Sequence, residues 1–340
     1  MKKSIKPFKF MLSLLMLLQV TLFAQNDNDS DNRNEKKKYE FVKKKSVNKS
    51  YSVSSSDKLD IQNSFGSVEV HTWNKNEIKV DVEIEVSANT DALAQKIIDR
   101  ITVTDDKSGK NIYFKTTLKD MNNQKGGNRD EKSTMSINYT ISMPAGNPLT
   151  VKNEFGPTTI PDFNGDIDLT SKFGSLTTGT LSSIKGINVE FGKAILANIS
   201  SAPVNIKFSK AVITKLSGAI KLNLEFCNNV RLGLDNNLSS LDLKTSYSTV
   251  NLKPLGGLQA TYTISTSFGS FKNNSDVKFS SDADDNSDRG PKFDYEYSGK
   301  SGNGSVPVKV KSSFGKIIVG EATEEDMKDK NKGKSKQRTS

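Results

Sequence analysis

Cysteine, histidine and tryptophan each occur once in this 340-residue chain, as Cys227, His71 and Trp73. A lone cysteine cannot close an internal disulfide, so stability must come from buried apolar surface. Cys227 follows Phe226 where related segments carry glycine, which marks it as a small structural residue rather than a reactive thiol. One histidine excludes His-based metal centres and a Ser-His-Asp triad. His71 sits in the segment His71-Thr72-Trp73, which reads as an aromatic lid closing the first repeat. Long apolar runs are scarce too, and beyond the first two dozen residues none is apolar enough to cross a membrane. There is no Gly-rich phosphate loop after a strand, and the basic residues are scattered, so nucleic acid is not indicated. No cofactor is expected.

What the chain does have is a repeat. Nine times an aromatic residue is followed by glycine or another small residue: Phe65-Gly66, Phe155-Gly156, Phe173-Gly174, Phe191-Gly192, Phe208-Ser209, Phe226-Cys227, Tyr247-Ser248, Phe268-Gly269 and Phe314-Gly315. Over the middle of the chain the aromatics recur roughly every 18 to 21 residues, the range of solenoid repeats. Four residues before each aromatic stands an aliphatic residue, as in Ile61, Val151, Leu169, Ile187, Val204 and Leu222. Polar residues alternate with them, so each unit reads as a strand with one buried and one wet face. By this phase the aromatics belong to the buried face and are expected to stack as an internal ladder. The following glycine is expected to supply the positive φ of a corner. In the Phe226 unit the aliphatics Val230 and Leu232 come one residue late, which predicts a local bulge.

The fold expected is all-β: a single-domain parallel β-solenoid (β-helix) with short coils of about 18–21 residues, with an N-terminal β-rich capping insert containing one short helix. A β-sandwich with coincidental spacing is the competing reading. Residues 1–24 have the layout of a signal peptide: Lys2, Lys3, Lys6 and Lys9, then the apolar stretch from Phe10 to Phe23. Its removal deletes those four lysines and no acid, lowering the formal charge from +10 to +6. Residues 25–56 read as a disordered polar linker and 321–340 as a disordered charged tail. The solenoid is assigned to 57–320, with the cap insert at about 78–148 and an interruption at about 273–307. Within the insert, Thr90 or Asp91 caps a short helix whose Leu93, Ile97 and Ile101 share a face.

The acidic run Asp282, Asp284, Asp285 and Asp288 is a weak calcium candidate. It lacks the glycine and the distal glutamate of a calcium loop. The stretch Phe65-Gly66-Ser67-Val68-Glu69-Val70-His71-Thr72-Trp73 is followed by an alternating strand, a short helix, Ile137 to Met143, Pro144-Ala145-Gly146-Asn147-Pro148-Leu149, and then the repeats. This order resembles the bacterial putative-adhesin domain family over about Leu59 to Gly320. The resemblance implies an exported or envelope protein with a β-solenoid fold and no catalytic residues.

The expected function is non-catalytic: an exported protein of the periplasm or cell surface, binding a glycan or an envelope or host protein. The surface expected to do so is Asp168, Lys172, Asn188, Glu190, Asn205, Lys207, Asn223, Glu225, Asp242 and Lys244. The alternative is a periplasmic scaffold or envelope-stress component acting by self-association or docking. A polysaccharide-active β-helix enzyme is the third reading; it needs carboxylates clustered in a groove on long loops, and most turns here are short.

Overall fold

Apolar–polar alternation becomes β-strand along nearly the whole described chain. The computed structural model describes residues 39–119, 130–282 and 293–328, all within the unit running from Lys38 to Ser340. In chain order the N-terminal part comprises β1 (Phe41–Ser52), β2 (Lys58–Ser64), β3 (Val68–Trp73), β4 (Glu77–Ala88), α1 (Asp91–Ile98), β5 (Ile101–Ser108), β6 (Asn111–Leu118) and β7 (Ser133–Pro144). The middle comprises β8 (Leu149–Glu154), β9 (Thr158–Ile160), β10 (Phe163–Lys172), β11 (Ser175–Glu190), β12 (Lys193–Ser200), β13 (Pro203–Lys207), β14 (Lys210–Glu225), β15 (Val230–Ser246) and β16 (Thr249–Pro254). The C-terminal part adds β17 (Ala260–Ser267), β18 (Ser270–Asn274), β19 (Phe279–Ser281), β20 (Asp294–Lys300), β21 (Val306–Ser313), β22 (Lys316–Gly320) and α2 (Glu324–Met327).

The strands pair into two parallel ladders. The first runs β6, β2, β8, β10 and the second half of β11, then β13 and the second halves of β14 and β15, then β21 and β17. The second runs β7, β3, β9 and the first half of β11, then β12 and the first halves of β14 and β15, then β16, β22 and β18. Equivalent residues of successive units are cross-strand partners: Leu169 pairs Ile187, which pairs Val204, which pairs Leu222, which pairs Leu243. Inward residues of both ladders make one apolar core, in which these aliphatics have no solvent exposure. The pairs Lys185-Gly186 and Ser217-Gly218 do not interrupt the strands. They are bends inside β11 and β14, the latter at Gly218 with φ 63°.

The corners are tight because backbone meets backbone. A Cβ on Gly156, Gly174 or Gly192 would lie 1.9, 2.0 or 1.8 Å from the carbonyl oxygen of the preceding corner glycine, Gly66, Gly156 or Gly174. None of these four glycines has positive φ; the aromatic before each does. Glycine is therefore required here for close approach rather than for conformation, the reverse of the expectation. Buried amides tie the first corners together. Asn63 Nδ2 donates to Ile137 O at 3.0 Å and to Asn153 Oδ1 at 3.1 Å, and Asn153 Nδ2 donates to Gly66 O at 3.0 Å. The network continues from Asn63 through the Thr116 hydroxyl to Tyr139, whose phenol burial pushes up to about 12.

Both ends differ from the middle. At the N-terminal end β4 lies antiparallel on β7, and β1 lies antiparallel on β4 over twelve residues. The linker reading of 25–56 is thus corrected for Phe41 to Ser52: Val47 and Tyr51 pack on the core, and the alternation is masked because Lys43, Lys45 and Lys49 share their phase; residues 25–38 lie outside the described residues. Helix α1 starts at Thr90, whose hydroxyl accepts from Leu93 N at 3.3 Å. It ends at Ile98, so Ile101 belongs to β5 and not to the helix. The signal-peptide reading of 1–24 lies outside the described residues.

At the other end the chain overshoots and returns. β17 and β18 form the outermost unit, and the hairpin β19–β20 lies antiparallel on β17. The chain then re-enters, placing β21 between β15 and β17, and β22 between β16 and β18. The interruption at 273–307 is therefore an end closure, in which Phe271 meets Phe279 and Tyr297 at ring separations of 4.9 and 4.5 Å. The first residues of the tail are ordered as well. α2 carries a capping box between Thr323 and Asp326, and Asp326 accepts from Lys272 Nζ at 2.6 Å. Residues 329–340 lie outside the described residues.

The hydrogen bond from Lys272, with those of Thr323, holds the Asp326 carboxyl far below the usual carboxylate range. A carboxylate depressed on folding contributes stability above its unfolded pKa and loses it only as pH falls through the native value. The α2 clasp should accordingly remain protected from protease at about pH 4, near an ordinary aspartate's pKa. Asp326→Ala should expose Glu321 to Lys328 to cleavage at neutral pH while leaving the strands' circular dichroism unchanged. Cleavage of both proteins at equal rates would show that Asp326 does not hold the clasp.

Candidate binding surface

Each corner aromatic closes a strand in the left-handed backbone region, with φ between 49° and 68° from Phe65 through Phe314. Its N–H still extends the ladder: Phe155 N donates to Lys172 O and Phe173 N to Glu190 O, both at 2.9 Å. Positive φ swings the side chain out of the strand's alternation, so a residue in the buried phase ends up outside. The expected internal ladder is therefore an external one. Ten rings stack in a continuous column: Phe65, Phe155, Phe173, Phe191, Phe208, Phe226, Tyr247, Phe314, Phe268 and Phe293, with centroids 4.7–5.2 Å apart. All but Phe65 are 44–55 % exposed. The ring faces cover one another, and the edges form a ridge roughly 44 Å long at the inter-strand spacing.

On one side of the ridge lies the outward face of the first ladder, and all ten residues expected as a binding surface are on it. Strand register brings Glu154, Lys172, Glu190, Lys207 and Glu225 side by side. Lys172 pairs with Glu190 at 3.4 Å and Lys207 with Glu225 at 3.1 Å. The next row is an amide ladder, in which Asn205 donates to Asn188 at 3.1 Å and Asn223 to Asn205 at 2.8 Å. Asp242 stands in register between Lys221 and Lys309, Lys244 between Asn223 and Lys311, and Asp168 between Thr150 and Gly186. The face is continuous, and much of its polar capacity is spent within the sheet.

On the other side of the ridge the second ladder begins, and its first outward row carries lysines. Ser175, Lys193 and Lys210 are register neighbours, and Lys316 stands between Thr249 and Ser270. Here a groove of about 680 Å³ runs along the rings of Phe226, Tyr247, Phe314 and Phe268, with Lys316 and Lys328 on its far wall. Lys316 Nζ is anchored to the α2 clasp by a 2.8 Å bond to Asp326 O. Sequence reading missed both the ridge and this lysine row. The available signal was lysine two residues after the aromatic, at Lys193, Lys210 and Lys316.

The remaining candidates separate. His71 is on β3, with Nε2 3.3 Å from Glu69 Oε1. Of the calcium candidates, Asp284, Asp285 and Asp288 lie outside the described residues. Asp282 Oδ1 accepts from Glu296 N at 2.9 Å, and among the described residues no three acidic, His or Cys side chains gather as metal ligands. Among those residues no helix is long and apolar enough to cross a membrane. Cys227 is fully buried, its Sγ 3.2 Å from Ile206 O, and burial pushes the thiol's pKa up. A buried thiol with a raised pKa is a poor nucleophile. Cys227 should therefore resist a thiol reagent in the native protein and react fully in denaturant; rapid native labelling would contradict its burial.

No protein-family model and no curated protein matches the chain. Among solved structures it is similar to a putative adhesin from Bacteroides fragilis, at 13 % identity over 81 % of this chain and 97 % of that one, with a TM-score of 0.38. It is likewise similar to a putative cell adhesion protein from Clostridium sporogenes (12 % identity, 82 % and 100 % covered, TM-score 0.26). A putative lipid binding protein from Parabacteroides distasonis is a third (10 % identity, 81 % and 97 % covered, TM-score 0.31). TM-scores this low give the likenesses no weight for fold or partner.

Proposed function

We propose that the protein is an exported, non-catalytic β-solenoid of the putative-adhesin type, which holds a glycan or protein partner at the cell envelope along its repetitive faces. The supporting observation is the exposed aromatic ridge. Nine rings about half exposed, at about 200 Å² each, leave on the order of 900 Å² of largely apolar surface in one line. The largest such patch on an ordinary monomer is about 300–600 Å², and larger ones mark interaction sites. A non-catalytic role is supported by the strand-face carboxylates, since Glu190 and Glu225 face lysines rather than each other. The scaffold reading, with units stacked end to end, is weaker because the hairpin β19–β20 lies across the outermost parallel strand.

Protease shaving of intact cells, with a periplasmic protein as control, tests the location. Digestion of this protein alone is expected for a surface adhesin. Protection until the outer membrane is permeabilised would favour a periplasmic scaffold instead. Alanine replacement of the strand-face row from Asp168 to Lys244 tests the contact; unchanged partner binding would remove that face from the proposal.

A further inference from the structure

We infer that the ridge is where two copies of this chain pair, side by side and antiparallel, about a two-fold axis between Phe191 and Phe208. This rests on the ridge being an interaction surface, as proposed above, and names its partner. The first argument is shape. From Phe65 to Phe314 successive rings lie within 8° of parallel and 4.7–5.0 Å apart, so the ridge is straight over eight units. A globular protein curves away from such a line, whereas a second ridge follows it to both ends. Seven of these rings are 44–49 % exposed and offer roughly 650 Å² per copy. A standard interface takes about 800 Å² from each partner, and the charged row beside the rings supplies the remainder.

The second argument is charge. The row flanking the rings on the first ladder reads Glu154, Lys172, Glu190, Lys207 and Glu225, alternating in sign from strand to strand. An isologous contact sets this row against its own reverse. With the axis between Phe191 and Phe208, Lys172 meets Glu225 of the second copy and Glu190 meets its Lys207, and the symmetry repeats both pairs. Lys172 and Lys207 keep their partners Glu190 and Glu225 within the sheet and gain another carboxylate across the contact. An axis through Phe191 would oppose Lys172 to Lys207, one through Phe208 would oppose Glu190 to Glu225, and a parallel pair would oppose every charge to itself. Like charges brought together are penalised, which excludes these arrangements. Moving the axis by a whole unit keeps opposite signs together, but loses two rings of each copy in one direction and two of the four ion pairs in the other. A bilayer is a poorer occupant, because sinking the rings would desolvate the charged row beside them.

The test is sedimentation equilibrium of the full chain, expected to show a monomer–dimer equilibrium with a Kd of about 1 μM or tighter. Glu190→Lys with Glu225→Lys makes the row positive from 172 to 225, and Lys172→Glu with Lys207→Glu makes it negative. Each double variant should dimerise at least about tenfold more weakly than the native chain, and an equimolar mixture of the two should recover a heterodimer. Direction is read by oxidation. A chain carrying Lys172→Cys should cross-link to one carrying Glu225→Cys and not to itself, and buried Cys227 takes no part.

A native chain that stays monomeric, dimers indifferent to both charge reversals, or a mixture that stays monomeric although both variants keep the native circular dichroism would each overturn the inference. So would cross-linking of the Lys172→Cys chain to itself. A monomer captured by phosphatidylcholine vesicles would give the ridge to a bilayer instead. The proposed function would survive these results, since shaving and strand-face replacement test it separately. A dimer protected in intact cells would end the surface-adhesin reading alone.

Discussion

Gly174→Ala is expected to destabilise the protein by more than about 4 kcal/mol, enough to leave a domain of ordinary stability largely unfolded. A Cβ on Gly174 would sit 2.0 Å from Gly156 O and 2.7 Å from Gly156 C, both backbone atoms of the neighbouring unit. No rotamer change relieves a clash between a Cβ and a backbone carbonyl. The neighbour cannot move away either, because a Cβ on Gly156 would itself lie 1.9 Å from Gly66 O and one on Gly192 1.8 Å from Gly174 O. Separating one pair of corners breaks ladder bonds on both sides, including that of Lys193 N to Gly174 O at 3.1 Å. The control is Gly256→Ala, where nothing lies within 4 Å of the added carbon and the backbone has no positive φ. It should shift stability by less than about 1 kcal/mol. Denaturant unfolding followed by circular dichroism separates the two. Equal small losses would mean that the corners have slack not visible in the column of contacts.

The corner also explains what was legible in the sequence. Period-two alternation locates most strands, because burial of one sheet face forces it: Leu169, Ile187 and Val204 were assigned inward and are. The aromatics obey the same phase and point the other way. Alternation holds only while the backbone stays extended, and one left-handed residue reverses it. Phe226 shows how local the reversal is. The extra residue expected as a bulge is taken up in the corner by Asn229, with φ 59°, and Val230 resumes pairing with Val250. Strand β1 was hidden because lysines stand on both its faces, Lys44 on one and Lys43, Lys45 and Lys49 in phase with Val47 and Tyr51 on the other, a composition shared by disordered linkers and by protected sheet edges. The re-entry of β21 between β15 and β17 had no sequence signal, since the unit ending at Phe314 looks like any other. The lysine flank needed the register of β12, β14, β16 and β22 before residues far apart in sequence became a row.

Replacing Phe208 should invert the usual order of alanine and glycine. The ring is 46 % exposed, and both its faces are covered, by Phe191 at 4.7 Å and Phe226 at 5.0 Å. Truncation returns roughly 100 Å² of apolar surface to water at about 25 cal/mol per Å², a loss of about 2.5 kcal/mol for Phe208→Ala. At φ 50°, however, any side chain with a Cβ bears the left-handed penalty of about 1–2 kcal/mol. Glycine loses the same stacking and escapes that penalty, with part of the gain offset by its freer unfolded chain. Phe208→Gly should therefore be more stable than Phe208→Ala by about 1 kcal/mol, although both fall below the native protein. Chemical denaturation of the three proteins measures it directly. An alanine variant as stable as the glycine variant would show that the left-handed corner relaxes once the ring is gone. The stack, and not the corner, would then be what holds the aromatic outside the core.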